Sequence, residues 1–589
     1  MCRHLLLPLL LTAWLMPAPG VLLAQGGPEL RASRDTLGRI ELRWASPGFR
    51  LEIASTLQPP VWSSAAADGF PIQTNVTGEL MAVDLRPDGG QRFFRLRSVD
   101  SAPAGPAYDI GTPQWVDLYV DPVHGNDDQD GRTRSTAFRG LLAAFRSLPE
   151  GMQSQATRIR LLPGTHFGAY LEDRLGTPDF PILIEPADGP GTVEFRPSAK
   201  GDPGSLQFFH CAHVYLQDFR ISVDGGDALH WEQCHHVLVR RMRVLSVRSD
   251  GQDETLKVNQ CQFVYIEDSD ISDAGDNCID VVAGQWGHIV RCRIHNSTDW
   301  GTYLKGGSAY WLVEGNEIWQ CGTGGFTAGQ GSGMQFMIPP WIHYECYDIK
   351  VVNNLIHDCE GAGLGVNGGF NILMAHNTLF RVGQRSHTVE VVHGSRGCDG
   401  GATNDCQPLL DLGAWGTTGE GGQFIPNRNV LFANNVIYNP PGFPRADQFL
   451  EIAGPSPVPA DSNLTGETRA DDGLVIRGNV FWNGIAEYPI GIADDPDGGC
   501  HTDTCTPELV AAGNWFNQLD PSLVNPDAGD FRPVPGSALV GLAVPLPEFD
   551  WSGAPQRPAV PAGTLSNAVL RDQRGSSRTR TAVVGALLP

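Results

Sequence analysis

One short phrase recurs along the chain as LVEGNEI (312–318), VVNNLI (351–356), MAHNTL (374–379), FANNVI (432–437) and IRGNVF (476–481). Three earlier segments, ending at Val244, Ile271 and Ile294, share the phrase without its asparagine. The uninterrupted spacings are 27, 23, 24 and 23 residues. A period in the low twenties, with short β-branched runs and no helical pattern, predicts stacked parallel strands in a right-handed parallel β-helix.

The repeated asparagines predict a ladder of amide side chains along the stacking direction. Its expected members are Asn316, Asn354, Asn377, Asn435 and Asn479. Cys234 and Cys261 also occupy equivalent turn positions, so we expect them to stack as buried thiols or to pair.

The strand before each phrase carries the polar chemistry. Because side chains alternate, Leu229, Trp231, Leu256, Val258, Ile279 and Val281 should face the core and their neighbours should face outward. Lys305 joins the outward side only if its following turn holds one extra residue, and the cost of burying a lone ammonium favours that register. The predicted outward row, with two residues just beyond it, is His230, Glu232, Lys257, Asn259, Asp280, Tyr303, Lys305, Asn367, Glu390, His393 and Arg396.

This row crosses about six rungs and so predicts a groove roughly 25 Å long. A groove of that length suits an extended glycan better than a small metabolite. The segment between Gln320 and Lys350 is too long for a turn, and we interpret Trp341, His343 and Tyr344 within it as a wall of the cleft.

Other segments define the domain organisation. Residues 1–24 have a basic start, an apolar run and small residues, as in a cleavable signal peptide, which predicts a secreted or periplasmic protein. Residues 25–107 alternate apolar and polar positions between turns, which predicts a small fibronectin-III-like β-sandwich. The β-helix should span 113–545, with the helical segment 141–148 capping its first coil and 546–589 capping its C-terminal end. The fold class is therefore all-β.

Composition limits the partners. The net charge of -24 disfavours nucleic acid, and no later apolar stretch is long enough to span a bilayer. With Gly 70, Pro 44 and only 18% charged residues, tight turns are expected rather than long helices or coiled coils. We expect a monomer whose partner is an acidic polysaccharide.

The cysteines favour oxidised loop staples in an exported protein. Twelve of the 13 cysteines remain after the signal peptide. Cys398 with Cys406 and Cys500 with Cys505 each bracket a short loop, and we predict both as disulfides.

A cluster of hard oxygen ligands occurs in SDAGDNCID (272–280). Asp273, Asp276, Asn277 and Asp280 lie within eight residues of one another, a set that suits Ca²⁺, although Asp and Asn are also ordinary turn formers.

Three motifs resemble the secreted β-helix polysaccharide lyases of the pectate-lyase-like superfamily. YVDPVHGNDDQDGRTRSTAFRGLLAAF (119–145) is similar to their entry strand and cap, and GDNCID (275–280) followed by YLKGGS (303–308) is similar to their calcium cluster and catalytic base. The resemblance implies β-elimination next to a uronate carboxylate, with Lys305 as the base.

In that reaction a cation neutralises the carboxylate and a base removes the adjacent proton. Calcium at Asp276 and Asp280, with Lys257 or Arg396, could neutralise the uronate carboxylate. Tyr303 or His393 could protonate the leaving oxygen. The sequence also leaves open a uronate epimerase, a non-catalytic glycan-binding or adhesive β-helix, and a glycoside hydrolase that pairs Asp280 with Glu232 or Glu390.

Overall fold

The computed structural model describes seven strands between Leu30 and Ser98, and then residues 105–197, 204–247, 253–399, 403–419, 421–444, 448–484, 503–549, 566–578 and 582–589. The chain divides into two compact units, Met1–Pro103 with Gly575–Arg580, and Ala104–Arg574 with Thr581–Pro589. The predicted signal peptide lies outside the described residues.

The first unit contains two antiparallel sheets, as expected from its alternating segments. In pairing order, one sheet is formed by Leu30–Arg34, Ile40–Trp44, Leu80–Leu85 and Ile72–Thr74. The other is formed by Ser63–Ser64, Phe49–Ala54 and Phe93–Ser98. The fibronectin-III type and the boundaries 25–107 remain predictions.

The second unit is a parallel β-helix, which confirms the predicted fold class. Three long parallel sheets run along it, and successive strands of each sheet come from successive turns of the chain, which we call rungs. Apolar side chains from all three sheets meet in one continuous core.

We call the 10-stranded sheet the groove sheet, because it carries the predicted outward row. Its strands alternate buried and partly exposed residues, for example in Leu229–Glu232 and Leu256–Asn259. In order, the strands are Ala169–Glu172, Leu206–Phe209, Leu229–Glu232, Leu256–Asn259, Ile279–Val282, Trp300–Lys305, Gly324–Gly329, Ala362–Asn367, His387–Val392 and Gln448–Ile452.

Two 12-stranded flank sheets complete each rung. The first flank sheet consists of Trp115–Val120, Ala156–Leu161, Ile182–Pro186, Val214–Gln217, His235–Arg240, Gln262–Glu267, Gln285–Val290, Ser308–Glu314, Cys346–Val352, Gly369–Ala375, Arg428–Ala433 and Val475–Arg477. The second flank sheet consists of Gly164–His166, Val193–Phe195, Arg220–Val223, Arg243–Ser246, Asp270–Ser272, Arg293–Ser297, Glu317–Cys321, Leu355–Cys359, Thr378–Val382, Val436–Tyr438, Val480–Trp482 and Trp515–Phe516.

The asparagine ladder is present and is longer than predicted. Each amide Nδ2 donates to Oδ1 of the next asparagine, at 3.0 Å from Asn316 to Asn354 and from Asn354 to Asn377. A sixth member, Asn514, accepts from Asn479 at 2.8 Å. These amides satisfy one another and the turn backbone inside a buried corner, where an unpaired polar group would be costly.

The cysteine prediction is resolved in favour of stacked thiols. Cys211, Cys234 and Cys261 are free and buried, and the N–H of each of the first two donates to Sγ of the next at 3.3 Å. Cys398 and Cys406 form the predicted disulfide. Cys500 lies outside the described residues, so its pairing with Cys505 stays a prediction.

The two ends of the β-helix are covered differently. The helix Leu141–Arg146 buries Leu141, Ala144 and Phe145 against the first coils, as predicted. The described part of the C-terminal tail, however, lies along the side of the β-helix: Gly585 N donates to Asn434 O, and Val583 and Val584 pack against the second flank sheet. The apolar tail residues therefore cover the outer faces of the flank sheets over several rungs, which is a correction to the predicted end cap.

Two insertions build a wall above the groove sheet, one between Gly324–Gly329 and Cys346–Val352, the other between His387–Val392 and Arg428–Ala433. The first is shorter than predicted, because Gly324–Gly329 is a regular groove strand and the loop itself covers 330–345. Gly331–Gly333 pairs with Gly394–Gly397, which pairs in turn with Gly422–Ile425. This small sheet joins both insertions into one wall.

The remaining described elements are short. The other helices are Thr403–Asp411 and Pro507–Ala512, with 3-10 turns at Arg134–Thr136, Met334–Phe336 and Pro526–Ala528. Short strand pairs are Gly151–Met152 with Arg174–Leu175, Ser456–Pro457 with Glu467–Thr468, and Leu523–Asn525 with Asp530–Pro533. None of the helices in the described residues has the length and apolar character needed to cross a membrane.

Candidate functional site

A cleft of about 560 Å³ lies between the groove sheet and the wall. The groove sheet contributes Lys257, Asn259, Asp280, Val282 and Lys305. The wall contributes Gly331, Ser332, Gly333, Phe336, Ser395, Gly397, Cys398, Asp399 and Gly421. Two lysines and two aspartates therefore face the same cleft within the longer groove.

The strand register brings the predicted residues together. Lys257 pairs across the sheet with Asp280, and Asp280 pairs with Tyr303. Lys305 stands two residues after Tyr303 on the same strand and pairs with Val282. Its side chain lies on the outward face, as the register with one extra turn residue predicts. Gly306 and Gly307 supply that turn with positive φ, and a Cβ on Gly307 would lie 2.1 Å from Trp341 O.

Lys257 is held by carboxylates. Its Nζ lies 3.7 Å from Asp280 Oδ2 and 3.9 Å from Glu254 Oε1. Burial disfavours the ammonium, but the carboxyl groups of Asp280, Asp227 and Glu254 outweigh burial and raise the pKa of Lys257. Lys257 therefore stays positively charged at neutral pH.

Lys305 has different surroundings. Its Nζ lies 4.0 Å from the centroid of the Tyr303 ring and donates to the neutral amide oxygen of Gln330 at 3.2 Å. In the described part of the chain, no carboxylate oxygen lies within 4.0 Å of this amine. The ring of Tyr303 orients the amine without neutralising it.

Tyr303 itself is buried, and its hydroxyl donates to Glu254 Oε1 at 3.4 Å. Burial, together with Asp280 and Glu254, raises its pKa well above the ordinary value. Because its side chain does not line the cleft, the structure favours a positioning role over the predicted role as a proton donor.

Glu254 is a member of the site that the sequence argument missed. Its Oε2 accepts the N–H of Asn277 at 2.9 Å, and burial with the nearby Asp280 and Asp276 raises its pKa to about 9 despite Lys257. The residue stands three positions before Lys257, so its sequence position could have suggested it. A protonated Glu254 adds no negative charge beneath the cleft at neutral pH.

Arg396 does not contact the cleft, which corrects the prediction that it binds substrate. Its side chain is fully buried and pairs with Glu345, with 2.7 Å between Nε and Oε1. Glu345 Oε2 accepts Gly306 N at 3.0 Å and Ser332 Oγ at 2.8 Å. The pair therefore ties the end of the Lys305 strand to the wall, and nothing in the repeat pattern indicated Glu345.

Four further predicted positions face inward. Trp341 is buried and packs edge-on against Trp286 at 5.3 Å, and His343 and Tyr344 are also buried. His393 is buried, with Nε2 3.1 Å from Thr468 O, and does not line the cleft. These side chains support the wall from behind, so their predicted contacts with substrate, and the proton donation expected of His393, do not fit their positions.

The predicted calcium ligands do not converge. Asn277 is buried with Oδ1 accepting Trp300 N at 2.9 Å, and Asp273 accepts from Ser272 Oγ and Asn296 Nδ2. Only Asp276 and Asp280 remain near the cleft, where both influence the pKa of Lys257. Within the described ranges, no three carboxylate groups here bring their oxygens within 4.8 Å of one another. The residues present do not form a calcium cage, since the ammonium of Lys257 lies between Asp280 and Glu254.

The rest of the outward row lines the groove on both sides of the cleft. His230 Nε2 lies 3.3 Å from Asn259 Nδ2 and 3.8 Å from Glu232 Oε2. Asn367 accepts from Thr327 on the neighbouring strand. At the C-terminal end, Glu390 belongs to a cluster with His387 and Glu451, which the sequence argument missed because strand Gln448–Ile452 follows a long insertion.

One known protein family matches part of the second unit. The family model described as "Right handed beta helix region" matches residues 213–399. No curated protein is similar enough in sequence to count as a relative. Among solved structures, the pectate lyase Pel9A is 14% identical, with a TM-score of 0.36, 57% of this chain and 79% of that chain covered.

Two other solved structures have comparable likeness. A rhamnogalacturonan lyase is 12% identical, with a TM-score of 0.34 and coverage of 68% and 86%. The Yersinia enterocolitica family 28 exopolygalacturonase is 10% identical, with a TM-score of 0.32 and coverage of 71% and 88%. The three parallel sheets and the matched family model identify the second unit as a right-handed parallel β-helix.

Proposed function

We propose that the protein is a polysaccharide lyase that cleaves a uronate-containing glycan by β-elimination in the cleft. The supporting observation is a pair of unlike lysines in one cleft of an extended groove. Lys257 lies beside the carboxyl group of Asp280, whereas Lys305 donates to the neutral amide of Gln330. The groove accommodates a chain of sugars, and the cleft marks the position of the reacting unit.

Lys257 is the group that binds the uronate carboxylate. Its raised pKa keeps the ammonium charged, and the ammonium lowers the cost of placing negative charge on the substrate as the adjacent carbon is deprotonated. Asp280, 3.7 Å away, fixes the position of this amine.

Lys305 is the base. When deprotonated, its amine removes the proton from the carbon next to the carboxylate; the electron pair forms the carbon–carbon double bond, and the glycosidic C–O bond breaks. The leaving oxygen takes its proton from water, because neither Tyr303 nor His393, the two donors predicted from sequence, lines the cleft. Tyr303 and Gln330 hold the amine in place.

Calcium enters no step of this scheme, because the predicted ligands do not converge. The binding of Ca²⁺ remains a prediction from the sequence, and activity measured with and without a chelator tests it. A lyase that uses Lys257 as its neutralising cation should keep its activity in excess chelator.

A hydrolase is the second candidate, because Asp280 on the groove sheet and Asp399 on the wall line the same cleft. The pairs predicted from sequence are less suitable. Glu390 lies four rungs from Asp280, about 19 Å along the stack, which is far beyond the roughly 6.5–9.5 Å between the carboxyl groups of an inverting pair. Glu232 lies two rungs and two residues from Asp280, about 12 Å between the backbones, and does not line the cleft.

The test is incubation of the purified protein with a panel of uronate and neutral polysaccharides, with and without chelator. New ultraviolet-absorbing unsaturated ends support the lyase. New reducing ends without ultraviolet absorbance would favour the hydrolase. Inversion of a uronate carbon without cleavage would favour an epimerase, and binding without turnover would favour an adhesive module. Each of these three results would overturn the proposal.

Two arginine variants form a matched pair that separates charge from basicity. Lys257→Arg keeps the neutralising charge and should retain most activity, whereas Lys305→Arg places a guanidinium that cannot accept a proton at neutral pH and should lose at least about a hundredfold in kcat. Equal activity of the two variants would show that Lys305 is not the base.

A further inference from the structure

Three histidines cluster at the turn from the groove sheet to the first flank sheet. His213 directly precedes strand Val214–Gln217, and His235 begins the next strand of the same sheet, followed by His236. One ligand atom from each imidazole lies within 4.8 Å of those of the other two. Neither the cleft nor the proposed lyase reaction involves these side chains.

The distances within the cluster match metal coordination. The Nδ1 atoms of His235 and His236 are 3.0 Å apart. Two imidazole nitrogens bound to one tetrahedral zinc ion at 2.0–2.1 Å stand roughly 3.3 Å apart. A small rotation of either ring would therefore place both nitrogens on one ion.

The third histidine has the outer contact that metal-bound imidazoles need. His213 Nδ1 lies 3.1 Å from the hydroxyl of Tyr215, which in turn lies 3.0 Å from the hydroxyl of Tyr108. When His213 Nδ1–H donates to this hydroxyl, the lone pair of Nε2 is left as the ligand.

Ring stacking alone does not account for the cluster. His213 and His236 begin a column that continues with Phe263, Trp286 and Tyr310, all at turn positions with positive φ, with the first rings 4.3 Å apart. His235 stands edge-on to this column. The next two rungs have glutamine at the position of His235, so the three imidazoles meet at a single place.

The geometry points to a binding site for a divalent transition metal of the zinc type, held by His213, His235 and His236. Three imidazoles suit zinc, nickel or copper rather than calcium. Because His235 is exposed, the fourth coordination position opens to solvent. The histidine site shares no residue with the cleft, and its existence does not depend on the proposed lyase activity.

The test uses tag-free protein that has been stripped with chelator and titrated with ZnCl₂ by calorimetry. We expect one zinc ion per chain. His236→Phe should lower the affinity at least about tenfold while leaving the metal-free protein folded, because phenylalanine already occupies the next place in the column at Phe263. The visible spectrum of bound Co²⁺ gives an independent reading of the coordination geometry.

His210→Ala is the matched control, since His210 is an exposed histidine on the preceding turn that bonds to Gln233 and lies outside the trio. If His236→Phe fails to fold, His235→Ala replaces it, because the ring of His235 is not part of the column. Substoichiometric zinc in the unmodified protein, or equal zinc affinity in the trio variants and in His210→Ala, would overturn the proposal.

Discussion

Arg396 and Glu345 form an ion pair that no solvent reaches, directly behind the cleft. Arg396 also donates to the backbone oxygens of Trp415 and His343, so that its guanidinium is satisfied by the wall it supports. Through Glu345 the pair reaches Gly306, the residue after Lys305. The amine proposed as the base thus depends for its position on two side chains that never contact substrate.

We expect Arg396→Met to destabilise the β-helix by about 3–5 kcal/mol, because Glu345 would remain buried without a partner. The shift of the urea midpoint measures this loss. Arg134→Met is the matched control: it removes an exposed arginine that pairs with Asp188 and should change the midpoint little. The double variant Arg396→Met with Glu345→Gln should recover part of the stability, and a double variant as unstable as Arg396→Met would contradict this account.

The asparagine ladder gives a second stability prediction. Asn377→Ala removes an Oδ1 that accepts from the Nδ2 and backbone N of Asn354, and an Nδ2 that donates to Asn435. Several buried donors lose their partners, so we expect a loss of about 3 kcal/mol or more. The exposed Asn525→Ala is the control, and an equal urea midpoint for the two variants would show that the ladder does not stabilise the fold.

The repeats and the side-chain alternation were sufficient to predict the β-helix, the ladder and the groove row. Both depend on local rules: a fixed period and the alternation of side chains along a strand. Arg396, Trp341 and His393 were misplaced because they lie in or beside insertions, where neither rule applies. Asn514 could have been found, since AAGNWF (511–516) has the same phrase, whereas Glu345 had no sequence signal at all.

The protonation state of one carboxyl group in the site, that of Glu254, could not be predicted from the sequence. A carboxyl beside a lysine is ordinarily ionised, yet burial with Asp280 and Asp276 raises the pKa of Glu254 to about 9. Only the three-dimensional arrangement of the neighbouring rungs reveals how many carboxyl groups share this one ammonium.

Glu254→Gln should consequently be tolerated at neutral pH, because an amide replaces a carboxyl that is already uncharged. Because the pKa of this carboxyl is higher in the folded than in the unfolded protein, the stability of the unmodified protein falls as the pH rises from the unfolded pKa towards the folded pKa. Glu254→Gln lacks the titrating group, so its stability relative to the unmodified protein should increase over the same pH range. Urea midpoints at pH 5, 7 and 9 check this. A large loss of stability at pH 7 would mean that Glu254 is ionised there.

His387 gives the opposite pH dependence. Burial opposes its positive charge, but hydrogen bonds to Glu390 and Glu451 outweigh burial and raise its pKa to about 9. Compared with an unfolded value of about 6.5, this shift corresponds to about 3 kcal/mol. The contribution is fully present below about pH 6.5 and is lost as pH rises through about 9.

We therefore expect His387→Asn to destabilise the protein most at pH 6 and little above pH 9.5, as measured by urea midpoints on both proteins across that range. His210→Asn, at an exposed histidine, should show no such trend. Two carboxylates on neighbouring strands would repel each other once the imidazolium is gone, so part of the loss at low pH should be recovered when Glu390→Gln is added to His387→Asn. A constant difference between His387→Asn and the unmodified protein at every pH would contradict the bridging role of the imidazolium.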